Sequence, residues 1–296
     1  MSDRTARRRV TRIRFPRDGA AELPPLVSER ADLLAAEEPL GIRIAGQAVN
    51  LTMRTPGDDL DLAAGFLFSE GIVTRQDQIA EIKLCDGTTC GHAGHDGLGN
   101  IVDIRLAGGQ AAGERAAAAP RRNFMTTSAC GVCGKAEAAA IFSANQWDLS
   151  EDQTSIQAAR LAAMPDLLRD AQRVFASTGG LHAAGAFSAR GELLCVREDV
   201  GRHNAVDKVV GWALRSGRLP LRGCVLMVSG RASFELVQKA VLAGFPVLAA
   251  VSAPSSLAAD LAERFGLTLV GFLRGGSMNV YTAAERVRAE SSAAAR

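Results

Sequence analysis

Short apolar runs and helix-length segments alternate through the C-terminal half of this chain, and that order leaves few folds open. Residues 224–228, 247–251 and 267–272 read as strands, and residues 233–243 and 255–265 between them read as helices. Strands that alternate with helices of this length build right-handed βαβ units around a parallel sheet. Just upstream, 183–187 and 192–197 read as strands paired across the turn Ala189-Arg190-Gly191, and a helix follows from about 204 to 215. Two more helices are expected, near 135–144 and 156–176. Together these segments predict a three-layer α/β sandwich.

Before residue 120 the pattern is mixed. Residues 40–49 read as a strand and turn, and 51–54 as a second short strand. Pro56-Gly57-Asp58-Asp59 signals a turn and a helix start, and 60–67 has helical spacing. Residues 79–84 and 101–106 alternate like strands, whereas 108–120 is Gly- and Ala-rich without periodicity. The expected organisation is a basic flexible tail over 1–20, a smaller α+β N-terminal domain over 21–120, an α/β domain over 121–285 and a flexible tail over 286–296. A chain of 296 residues has room for two domains.

Charge and composition exclude several functions. The net charge of +2 gives no bulk electrostatic case for nucleic acid. Arg4, Arg7, Arg8, Arg9, Arg12, Arg14 and Arg17 crowd the N-terminus, but no apolar run follows them, so they do not read as a secretion signal. They read as a solvated tail, with anion or partner docking as the other reading. No stretch is long and apolar enough to span a membrane, which needs about 18 residues or more. A cytoplasmic protein is expected. Six cysteines without a signal peptide argue against a disulfide framework. Cys195 and Cys224 sit in apolar runs and read as core thiols, inert by burial.

Cys130-Gly131-Val132-Cys133 is different. It stands between Thr126-Thr127-Ser128 and the helix-forming run that begins at Gly134-Lys135. Two thiols at a helix start can cycle with a disulfide, ligate a metal or carry a reactive sulfur. The helix N-terminus favours the thiolate, and Lys135 adds positive charge.

Ligands of open α/β sheets bind beyond the carboxyl ends of the strands. Two loops hold that position: Ser229-Gly230-Arg231-Ala232-Ser233, with backbone N–H groups and Arg231 suited to an anion, and Arg274-Gly275-Gly276-Ser277-Met278-Asn279, whose glycines permit close backbone approach. Each taken alone reads equally as a simple turn. A third block, from Arg197 to Lys208, is dense in charged and hydrogen-bonding side chains between a strand and a helix. Within it His203 reads as a hydrogen-bonding residue, and His182 upstream as a site-lining or capping one. No P-loop motif is present.

Cys85, Cys90, His92 and His95 lie within eleven residues and invite a zinc reading. Their spacing is tighter than in structural fingers, so a variable loop is preferred and no metal site is expected. The zinc nucleobase deaminases also pair Cys-x2-Cys with a three-layer fold, but they need His-x-Glu or its Cys-x-Glu equivalent. Neither occurs here.

Three long blocks, 127–135, 197–208 and 229–235, together with Thr178-Gly179-Gly180-Leu181-His182, resemble the formate dehydrogenase accessory sulfurtransferases, the FdhD family. The resemblance implies a cytidine-deaminase-like C-terminal domain that has lost the deaminase metal site. It also implies a sulfurtransferase that takes persulfide sulfur from a cysteine desulfurase. The sulfur passes to the bis(molybdopterin guanine dinucleotide) molybdenum cofactor, bound as a substrate, for the catalytic subunit of formate dehydrogenase. On this sequence the persulfide would form on Cys130, with Cys133 as its partner. The cofactor-binding segment would be Phe272-Leu273-Arg274-Gly275-Gly276-Ser277, with Arg231 and Arg274 suited to its phosphates. A homodimer is implied, with no nucleic-acid or membrane partner. Two alternatives stay open: a cofactor-binding chaperone without sulfur transfer, and a dithiol oxidoreductase.

Overall fold

A computed structural model describes residues 3–15, 24–85, 100–118 and 147–289. The frame of the C-terminal half is a six-stranded sheet in the order β13-β12-β11-β10-β8-β9. Its strands are β8 (His182–Ser188), β9 (Leu193–Asp199), β10 (Cys224–Val228), β11 (Val247–Ala250), β12 (Thr268–Arg274) and β13 (Ser277–Val280). Only β10, β11 and β12 run parallel; β8, β9 and β13 are antiparallel to their neighbours. The sheet is therefore mixed rather than parallel throughout, because tight turns join β8 to β9 and β12 to β13 where a crossover helix would be needed for parallel pairing.

Side chains of successive strand residues point to opposite faces, and each face meets its own helices. Leu226, Val228, Leu248, Ala250 and Leu269 join the core formed with α5 (Arg202–Arg215), α6 (Phe234–Leu242) and α7 (Ser256–Arg264). Val225, Met227, Val247, Ala249 and Val270 pack with Leu161, Met164 and Leu168 of α3 (Ala158–Ala171). Helices thus cover both faces. A bulge between Gly271 and Arg274, with Phe272 at φ 52°, breaks the alternation and turns Leu273 to the same core as Val270.

The N-terminal half forms a four-stranded sheet, β4-β3-β6-β5, built from β3 (Glu38–Ile44), β4 (Gln47–Arg54), β5 (Ile79–Cys85) and β6 (Ile101–Leu106). Two helices follow its strands, α1 (Asp59–Ser69) and α2 (Gly109–Ala118). The hairpin, α1 and both later strands match the sequence reading. The α2 segment has no apolar stripe; alanine supplies helix propensity there without a periodic signal.

The two sheets share a continuous core, from Leu40 and Ile42 through Leu62 and Leu67 to Val209 and Leu226. Its seam is the crossing of α1 and α5. A Cβ placed on Gly65 would lie 1.8 Å from the Asp207 carbonyl oxygen, and one on Gly211 would lie 1.8 Å from that of Asp61. The backbones touch, so both positions must be glycine.

Four local departures have visible causes. The segment expected as a basic tail contains β1 (Thr5–Arg14), paired over its full length with β2 (Leu26–Ala35) in an antiparallel ribbon. Alternating Arg with Val, Thr and Ile suits an extended strand as well as a tail. The C-terminal tail is anchored as far as β14 (Val287–Arg288), which pairs with β7 (Ile156–Gln157). Beside it, Arg286 is buried and donates to the carbonyls of Leu149, Asp152 and Gly266. The helix expected over 156–176 is two helices, α3 and α4 (Arg173–Thr178), broken at Gln172. Finally, Cys85 is buried and disulfide-bonded, although no disulfide framework is expected. The helix expected near 135–144 lies outside the described residues.

Gly65→Ala is expected to lower the unfolding free energy by about 1–3 kcal/mol, the cost of overpacking a tight contact. Denaturant titration checks this, and a change below about 0.5 kcal/mol, typical of a surface substitution, would show that the helices can separate freely.

Candidate functional site

The pairing pattern carries five loops to one edge of the large sheet. β10, β11 and β12 all end there. β8 runs the other way, so its first residues meet the end of β10: Ala184 pairs with Val228, and the Ser229 N–H donates to the Ala183 carbonyl at 3.0 Å. Asp199, the last residue of β9, pairs with His182. The segments 178–182, 199–203, 229–233 and 251–255 and the β12–β13 turn therefore share one rim.

A cavity of about 700 Å³ opens at this rim. Arg274, Gly275 and Gly276 form one wall, Gly179, Gly180 and His182 another, and Asp166, Arg169 and Phe175 line the helical side. Gly275 and Gly276 both have positive φ, 58° and 75°, as a two-residue hairpin turn demands. The helical wall depends on Glu198. Its carboxylate accepts the N–H groups of Val174 (3.0 Å) and Phe175 (2.8 Å), which starts α4 and breaks the longer helix at Gln172.

The segment 272–277 divides its roles. Arg274, Gly275 and Gly276 line the cavity, Leu273 is buried beneath it, and Ser277 Oγ donates to the Arg274 carbonyl at 3.2 Å. Phe272 lies under the Arg274 guanidinium, 5.7 Å from ring centre to carbon. Arg231 is exposed at the same rim and does not line the cavity. Cys130, Cys133, Cys90, His92 and His95 lie outside the described residues, and no cluster of three or more metal-ligating side chains occurs among the described ones.

The block from Arg197 to Lys208, read from sequence as a candidate site, is mostly internal structure. Asp199 is fully buried and pairs with Lys208 Nζ at 2.7 Å. It also accepts from the N–H of Thr55, the N–H of Gly201 and the Asn204 amide. Lys208 donates further to the carbonyls of Thr55 and Glu198. Arg197 donates to Asp61 at 2.7 Å, and Asp207 accepts from Ser69 at 2.7 Å and Lys239 at 2.6 Å. Apart from the Lys239 bond, which ties two helices of the C-terminal half, these bonds join the two halves or fix the rim. Sequence alone showed the density of polar groups but not that their partners lie about 140 residues upstream.

His182, Arg202 and His203 also stand at the rim. Burial, and then the charges of Arg202 and His203, push His182 below its ordinary value, so it is neutral at neutral pH. Arg202 Nε is buried without a hydrogen-bond partner among the described residues. His203 Nε2 lies 3.5 Å from Ser233 Oγ and 3.8 Å from Glu235, whose carboxyl is pushed down to about 2 chiefly by that imidazole. With Arg169 and Arg274 opposite a single carboxylate, Asp166, the cavity carries net positive charge suited to an anionic ligand. Cys195 is buried and its thiol is pushed up to about 12, and burial also raises Cys224. Neither is a nucleophile at neutral pH.

Comparison with known proteins bears on this geometry. A profile of the FdhD/NarQ family matches residues 35–288. The chain is 54% identical over 283 residues to the sulfur carrier protein FdhD of Mycolicibacterium paratuberculosis, covering 96% of this chain and 98% of that protein. It is 55% identical over 293 residues to the protein of the same name from Streptomyces avermitilis, covering 98% of both. A crystal structure from Desulfotalea psychrophila, described as a candidate formate dehydrogenase accessory protein, superposes with a TM-score of 0.71 at 23% identity over 97% of this chain and all of that one. That last likeness shows a shared fold.

Because His182 has a lowered pKa, its share of stability is present above the ordinary histidine range near 6.5 and is lost as pH falls through its lowered value. An NMR titration of the ring protons is expected to give a midpoint below 6.5; a midpoint above it would mean that burial, with the neighbouring cations, does not govern this imidazole.

Proposed function

This chain belongs to the FdhD/NarQ family, and from that premise we propose that it is a sulfur carrier that matures formate dehydrogenase. Sulfur arrives as the persulfide of a cysteine desulfurase. The Cys130 thiolate attacks the terminal sulfur, and the donor cysteine leaves as a thiolate. Cys133 completes the relay. The acceptor is the bis(molybdopterin guanine dinucleotide) molybdenum cofactor, a substrate rather than a resident group.

The observation that carries this reading is the cavity at the strand ends, lined by Arg274, Gly275 and Gly276 and faced by Arg169. Guanidinium groups form bidentate bonds to phosphate, and glycines let the backbone approach a large nucleotide. Neutral His182, which lines the cavity, adds a donor beside an anion. Among the described residues no thiol has an acidic pKa, which supports assigning the sulfur to the Cys130–Cys133 pair. Helices on both faces of the mixed sheet support a cytidine-deaminase-like reading of the C-terminal domain. A cytoplasmic homodimer belongs to the same reading; no described helix is long and apolar enough to cross a membrane.

Incubation with a cysteine desulfurase and cysteine is expected to add one sulfur atom to the peptide holding Cys130, read by mass spectrometry, and a Cys130→Ala variant is expected to leave formate dehydrogenase inactive. Unmodified Cys130 together with full activity of the variant would favour the chaperone reading instead.

A further inference from the structure

The β1–β2 ribbon precedes the 35–288 span of the family profile, and nothing in the sulfur chemistry calls for it. Ten consecutive pairs make it about 33 Å long at the usual rise per strand residue. A two-stranded ribbon is marginal in water, yet this one leaves Ile13, Phe15, Leu26 and Val27 more than half exposed, at 55%, 75%, 74% and 63%. Its charge is one-sided. Arg8, Arg12, Arg14 and Arg30 share a face with one carboxylate, Asp32, because directly paired residues point the same way. Among the described residues, Arg9 and Arg30 have carboxylate partners on the ribbon, 2.6 Å from Glu29 and Asp32 respectively. A hollow of about 440 Å³ lies among Arg7, Arg8, Arg9, Arg30, Ala31 and the carboxylate of Glu29.

The base of the ribbon is held beside the cavity. Arg4 pairs with Asp58 at 2.8 Å, and the Ala36 N–H donates to the Arg4 carbonyl at 2.9 Å. A Cβ on Gly180, which lines the cavity, would lie 3.5 Å from that of Ala35. Whatever binds the ribbon is therefore brought to the cavity rim.

We propose that the β1–β2 ribbon is a docking arm for a partner protein with an acidic, partly apolar surface, which it holds at the mouth of the cavity. Guanidinium forks match carboxylates in pairs; the ribbon offers arginines with Leu26 on one face and Ile13 and Val27 with Arg7 and Arg9 on the other, and arginine beside apolar side chains is enriched at protein interfaces. A phosphate backbone makes no use of Ile13, Phe15 and Val27. A bilayer would need its apolar residues on one face, whereas Ile13 and Val27 oppose Leu26. The proposal rests on the sulfur-carrier reading only for the choice of probes.

Those probes are purified cysteine desulfurase and purified formate dehydrogenase lacking its cofactor, tested against the full chain and its Arg8→Gln/Arg12→Gln/Arg14→Gln variant. All three side chains are exposed, so the variant should melt with the wild type. The wild type is expected to bind one probe, with an affinity that falls as salt rises, and the variant to bind it about tenfold more weakly with little salt dependence. Equal binding by variant and wild type, no binding of either probe by the wild type, or tighter binding of duplex DNA or phosphatidylglycerol vesicles would each overturn the docking arm. Sulfur loading of Cys130 in the same preparations separates the two readings. Loading without ribbon-dependent binding contradicts only the arm, and ribbon-dependent binding without loading contradicts only the sulfur transfer.

Discussion

The Asp199–Lys208 pair is the constraint on which the ligand edge depends. Both side chains are out of water, and their remaining hydrogen-bond capacity is met by Thr55 beside the N-terminal hairpin and, locally, by Glu198 at the sheet end and by Gly201 and Asn204 at the start of α5. Removing one member of such a buried pair costs about 3–5 kcal/mol, because the other charge stays behind uncompensated. Asp199 also faces His182 across β8 and β9. The pair that joins the two halves therefore also fixes the rim where the imidazole, Arg202 and the cavity meet.

The close crossing of α1 and α5 complements this pair. Glycines at 65 and 211 bring the helix backbones into contact, and the polar bonds of Arg197 to Asp61 and of Asp207 to Ser69 flank that contact. The result is a rigid platform with an unusual division of labour. Polar residues crowded into one stretch serve the interior, and a few glycines and arginines at strand ends shape the space left for a ligand.

Much of this was legible in the sequence where the signal is local. The strands and helices from 182 to 274 follow from apolar runs of the right length, and the hairpin turn at Gly275-Gly276 follows from two adjacent glycines after a strand. The placement of 272–277 at the sheet edge follows from the same pattern. Signals that depend on distant partners were not legible. The break at Gln172 needs the Glu198 carboxylate, the antiparallel course of β8 needs its neighbours, and the block from Arg197 to Lys208 looks like a site until Thr55, Asp61 and Ser69 are seen across from it. The ribbon was missed because arginines alternating with β-branched residues resemble a charged tail until the second strand is found.

The proposed function requires a nucleotide-bearing substrate to enter the cavity between α3 and the β12–β13 turn. A crystal soaked with a guanine nucleotide tests this directly. Density whose phosphates lie against Arg274, Gly275 and Gly276 is the predicted result; nucleotide density away from the strand-end rim, with this cavity empty, would contradict it.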